Sequence, residues 1–140
     1  MINLNVFSEE KAWSKKLKKK DFFFKSICDA FPKKYKFLNK KVAFTLLLSN
    51  NKNIKKLNKV FRKKNKSTDI LSFPLDKKIK ISKNTYLGDI IISYNYLDKP
   101  RSQNLKIFKE KVTKLFIHGF LPVSYTHLRA HETVLDLVCR

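Results

Sequence analysis

Glycine is nearly missing from this chain: 140 residues hold only Gly88 and Gly119. Cysteine is as scarce. Cys28 is the only cysteine before Cys139, which excludes an internal disulfide framework over residues 1–121 and fits a cytoplasmic location. No apolar run approaches the roughly 18 residues that a membrane-crossing helix needs. Met1–Trp13 carries Glu9 and Glu10 and lacks the cationic-then-apolar pattern of a signal peptide. Acidic tails, internal repeats and Gly/Ser linkers are also missing. These absences leave one soluble, unexported domain with enough length for a real core. Acidic residues are few as well, 11 against 32 Lys and Arg, for a net charge of +21. A field of that size attracts polyanions, nucleic acid first and an anionic membrane surface second.

The composition changes abruptly after Leu121. Residues 1–121 hold all 28 lysines but only two arginines, Arg62 and Arg101, and are rich in Asn, Ile and Phe. That is the vocabulary of an AT-rich genome, so part of the lysine excess reflects codon bias. Pro122–Arg140 contains no lysine and is neutral, with Arg129 and Arg140 against Glu132 and Asp136. The stretch Val-Ser-Tyr-Thr-His-Leu-Arg-Ala-His-Glu-Thr at 123–133 resembles translated sequencing-adapter sequence. Residues 122–140 are therefore read as a non-native tail and set aside from the fold.

Periodicity predicts strands over Ile2–Phe7, Val42–Leu48, Ile70–Phe73 and Leu87–Ser93. Ser8 is expected to open a helix with Lys15–Lys20 on its wet side. Helical character strengthens over Phe22–Phe31 and stops near Pro32. Asn50-Asn51 is a turn and helix cap, followed by Ile54, Leu57, Val60 and Phe61 at helical spacing. Asp76–Lys83 reads as a polar loop, and Asp98–Pro100 breaks the chain. Ile107, Phe108, Val112, Leu115 and Phe116 mark the apolar face of a last helix, which should start near Leu105. The last two strands follow each other without a helix and should form a hairpin. The class is α+β: a mixed sheet of about four strands with helices packed on it, and a metal-site helix ending the native part.

Three constellations carry chemistry. Asn58-x-x-x-Arg62 precedes Ser67-Thr68-Asp69-Ile70-Leu71-Ser72-Phe73-Pro74. Arg62 stands in a chain that otherwise uses lysine, and its planar fork suits a phosphate or carboxylate. Ser67-Thr68-Asp69 is read as local hydrogen bonding that shapes the turn into the strand. Leu87-Gly88-Asp89-Ile90-Ile91-Ile92 places one rare glycine in a strand, a sign of positive φ or close approach. Asp89 there is either a polar strand-end residue or an orienting partner for a cation or histidine. His118-Gly119-Phe120-Leu121 holds the other glycine, with His118 at the edge of an apolar helix face.

In this order and spacing the three motifs closely resemble the YbeY family of bacterial endoribonucleases. The likeness covers residues 1–121. It implies zinc held by three histidines in His-Gly-x-Leu-His-Leu-x-Gly-Tyr-Asp-His, leaving one coordination position open for water. It implies His118 as the first ligand, and Arg62 as the catalytic arginine that grips the scissile phosphate. The second and third ligands fall at 122 and 128, where this chain has Pro122 and Leu128. Pro122 should also end the helix. His127 and His131 imitate a helical zinc pair by spacing, but lie in the adapter-like stretch.

The resemblance further implies a single-stranded RNA substrate, a part in small-subunit rRNA 3′-end processing and ribosome quality control, and no DNA or membrane partner. A non-catalytic RNA- or ribosome-binding assembly factor is the alternative. A membrane-surface protein would need helices with an exposed apolar face, which the Lys15–Lys20 run does not suggest. Removing the native segment after Leu121 should leave apolar surface bare.

Overall fold

The computed structural model describes residues 2–31, 41–74, 84–100 and 103–125. Strand β1 (Ile2–Ser8) is followed by α1 (Ala12–Lys16) and α2 (Lys20–Asp29). Then come β2 (Lys41–Ser49), α3 (Asn51–Arg62), β3 (Ile70–Pro74), β4 (Asn84–Ser93), α4 (Tyr94–Leu97) and α5 (Leu105–Tyr125). The sheet order is β1-β2-β4-β3. β1, β2 and β4 run parallel, and β3 pairs antiparallel with β4, with Ser72 opposite Ile90. This is the expected mixed four-stranded α+β sheet with its hairpin; the loop expected at 76–83 lies outside the described residues.

Alternation along the strands divides the sheet into two faces. Val42, Phe44, Leu46 and Leu48 of β2 join Ile90 and Ile92 in the main core, with Phe24 from α2 and Phe108, Val112, Phe116 and Phe120 from α5. The opposite face carries a smaller cluster under α3, formed by Ile54, Leu71 and Ile91 with Leu47, Leu57 and Phe73. Trp13 anchors the N-terminal helices. Its indole N–H donates to the Ser49 carbonyl at 2.9 Å, and its ring meets Tyr94 edge-on at 5.4 Å.

Several expectations are corrected. Ser8 closes β1 instead of opening a helix, and its hydroxyl donates to the Glu10 carbonyl. The lysine run does not lie along one helix. The chain turns over Leu17–Lys19, so that α1 and α2 each bury their own residues, Trp13 on one and Phe24 with Cys28 on the other. The four-residue α4 carries no sequence period long enough to read. Pro122 does not end α5, which continues to Tyr125. Proline there removes the backbone hydrogen bond to the carbonyl four residues earlier and crowds that carbonyl, but its fixed φ is itself helical, and the helix continues at that cost.

Candidate active site at the β3 edge

Helix α3 places Arg62. Asn50 caps the helix, its Oδ1 accepting from the Asn53 N–H at 2.9 Å, and α3 then runs back across the sheet. Asn58, 2% exposed on the apolar side, donates from Nδ2 to the Lys66 carbonyl at 2.9 Å. That bond ties the end of α3 to the segment entering β3. Thr68 donates to the Asp69 carboxylate at 3.3 Å, the local bonding expected, whereas the Ser67 hydroxyl bonds the Tyr96 hydroxyl at 3.0 Å and Ser93 N–H donates to the Asp69 carbonyl at 2.9 Å.

Arg62, exposed at the helix end, reaches edge strand β3. Its Nη2 donates to the Ser72 carbonyl at 3.2 Å, and its guanidinium lies 5.9 Å from the Phe73 ring centroid. One hydrogen bond uses one of five guanidinium donors. On the other face, Ser72 Oγ donates to the Gly119 carbonyl at 3.0 Å. Gly119 lets the helix pack closely on Ile70 and Ile90. A Cβ would stand 2.3 Å from Ile70 Cδ1 and 3.1 Å from Ile90 Cγ2. So Ser72 joins the two residues singled out from sequence: its carbonyl holds Arg62, and its hydroxyl holds the helix turn that carries the exposed His118.

Gly88 has φ 143° at the β4 irregularity, where the register with β2 shifts between Ala43 and Phe44. Only glycine adopts such a φ readily, so its scarcity did point to a backbone constraint. Asp89 follows directly after it. It lies on the α3 face, exposed, and accepts a hydrogen bond from the Tyr86 hydroxyl, while α5 packs on the other face. Tyr86 also meets Thr45 at 2.7 Å. Partial burial, and then the bond to Asp89, push the Tyr86 hydroxyl above its ordinary range.

The residues present do not fit a three-histidine zinc site. Among the described residues no three His, Cys, Asp or Glu side chains gather as a metal site. Position 122 is proline, whose side chain offers no donor atom. Leu128, His127 and His131 lie outside the described residues.

The order of these parts along the chain agrees with known proteins. A family model described as Endoribonuclease YbeY matches residues 5–134. The chain belongs to the YbeY endoribonuclease family. An Endoribonuclease YbeY from Pelagibacter ubique is 56% identical over 134 residues, covering 96% of this chain and 84% of the relative. Another, from Ehrlichia canis, is 36% identical over 129 residues, covering 91% and 80%. The solution structure of a Thermotoga maritima protein shares the fold, with a TM-score of 0.55 at 20% identity over 96% of this chain and 83% of that one. YbeY membership makes the chain a hydrolytic nuclease by family, with RNA as substrate. The match to the family model runs past Leu121, so the change in composition at Pro122 falls inside it.

Asn58 and Ser72 stood in the motif read from sequence, but their roles as ties between elements were not read there. Ser72 gave no signal as a link, since its role depends on which elements flank β3. Asn58 had one: it shares the apolar face of Ile54 and Leu57, where a polar residue needs a buried partner.

Proposed function

We propose that the protein from which this chain derives is a zinc-dependent, single-strand-specific endoribonuclease. It would act in the cytoplasm on ribosomal RNA, in small-subunit 3′-end processing and ribosome quality control. The observation that carries the reading is Ser72 holding Arg62 on its carbonyl and the His118 turn on its hydroxyl. Arg62 would bind the scissile phosphate with its remaining donors and stabilise the charge that grows on it during cleavage. His118 would be the first zinc ligand.

Residues 1–121 are the native domain in this reading, and residues 122–140 replace the native end. Pro122 and Leu128 leave one ligand of three, so this chain should not hold zinc tightly. Metal analysis of the purified chain is expected to find well under one zinc per molecule after chelator treatment. Stoichiometric, chelator-resistant zinc would overturn this. Reading the codons after Leu121 at the source locus tests the tail itself: histidine at 122 and 128 supports the enzyme reading. A genomic Pro122–Arg140 favours the alternative, a non-catalytic RNA- or ribosome-binding factor. In a relative with all three histidines, alanine at the residue matching Arg62 should lower RNA cleavage by roughly 100-fold or more, with little change in melting. Equal losses of activity and stability would remove the catalytic role.

A further inference from the structure

Opposite the His118 flank of α5, the molecule has an open apolar groove of about 940 Å³. Helix α2 packs against β1 and α5 against β3 and β4, and the groove runs between the two helices. Phe22, Ile27 and Phe31 form one wall, and Ile117 and Phe120 the other. Phe22 is 70% exposed, an unusual place for an aromatic ring unless something covers it. The rim is charged on one sign only. Lys15, Lys16, Lys18 and Lys19 stand on the α1–α2 side and Lys109 on α5, and none of the described lining residues is acidic. The expectation that the lysine run lacks a neighbouring exposed apolar face is therefore corrected: the turn at Leu17–Lys19 brings the lysines beside Phe22.

We infer that this groove is a docking site for an amphipathic helix of a partner protein, with an apolar stripe flanked by Asp and Glu. The shape favours a helix. Two helices on one sheet face with an apolar gap between them accept a third, whose side chains at i, i+3, i+4 and i+7 fill the gap. The charge favours an acidic flank, since the lysine rim would steer such a helix and reject a basic one. A bilayer needs a protruding apolar face rather than a recess. An RNA strand would find few polar partners, because Ser26 and Thr113 are the only uncharged polar side chains among the described lining residues. The site is separate from the β3 edge and does not depend on zinc or on Arg62.

The test uses the full chain and a fluorescent peptide of about 18 residues, with leucines at helical stripe spacing and glutamates elsewhere. Its lysine counterpart, a uridine decamer and phosphatidylglycerol vesicles serve as comparisons. The acidic peptide is expected to bind saturably, and Phe22→Glu to weaken it by roughly tenfold or more, as should Lys18→Glu with Lys19→Glu. Both substitutions are at exposed positions, and a circular dichroism melt checks that folding is kept. Absence of saturable binding, or equal binding by Phe22→Glu, overturns the inference. So does Phe22-dependent binding of the decamer or vesicles without binding of the peptide. Self-association of the chain that Phe22→Glu abolishes would instead assign the groove to a second copy.

Discussion

Lys63 holds φ at 56°, the left-handed conformation, at the C-terminal end of α3. The turn is set by backbone bonds, from Lys63 N–H to the Lys59 carbonyl at 3.1 Å and from Lys64 N–H to the Asn58 carbonyl at 3.2 Å. A side chain in this region is strained by about 1 kcal/mol or more, while glycine gives back part of the gain in unfolded-chain entropy. Lys63→Gly is therefore expected to stabilise the protein by about 0.5–1 kcal/mol in chemical denaturation; a destabilised variant would contradict the strain. Cys28 makes a pH-dependent contribution. Burial, and then the charge of Asp29, push its thiol from 9.0 up to about 12. The contribution is fully present below 9. Between the two values the unfolded chain binds fewer protons, so stability falls as pH rises. Lysines titrate in the same range, but cancel in a comparison with Cys28→Val. The stability of the native chain relative to that variant should drop as pH rises from about 9 toward 12, and a flat difference would count against the burial argument.

At the scale of elements, α3 depends on Asn58. Its bond to the Lys66 carbonyl is the tie between the helix end that carries Arg62 and the entry to β3. Asn58→Ala should cost about 1–2 kcal/mol, because a buried side-chain bond is lost. It should also loosen the Arg62 guanidinium. Urea melts read the first effect, and the NMR signals of the Arg62 side chain read the second. A loss under about 0.3 kcal/mol would mean that the bond is replaced by water without penalty. The same helix shows what the sequence made legible. Its cap at Asn50 and the apolar spacing of Ile54 and Leu57 depend on local chemistry and stand as read, whereas Val60 and Phe61, on the same spacing, are exposed. The four strands also stand as read, their β-branched runs bounded by turns or proline. The α1–α2 break was hidden because Trp13, Phe24 and Cys28 fit a continuous helical pattern as well as two short ones. Ser72 was hidden for a different reason: a serine in an edge strand becomes a link only when α3 and α5 come to lie on opposite faces of it.

For the whole molecule, 32 Lys and Arg face only 11 Asp and Glu, a net charge of +21. Among the described residues the one ion pair is Lys20 with Asp21, at 3.8 Å and exposed. Repulsion among lysines therefore outweighs attraction in the folded state. Salt that screens charges beyond about 10 Å at 0.1 M should relieve it. The melting temperature is expected to rise as sodium chloride increases from about 20 to about 300 mM, as screened self-repulsion requires. A falling melting temperature would show that attractive pairs dominate. RNA affinity should move the opposite way. Each phosphate contact releases counterions, so log K for a single strand should fall linearly with log salt, with a slope of about −0.7 per contact. If Arg62 is one of those contacts, Arg62→Ala should lessen that slope by about 0.7 and leave the salt dependence of melting unchanged. If the slope is unaltered, bulk lysine charge holds the RNA, and the bond to Ser72 does not place the guanidinium against a phosphate.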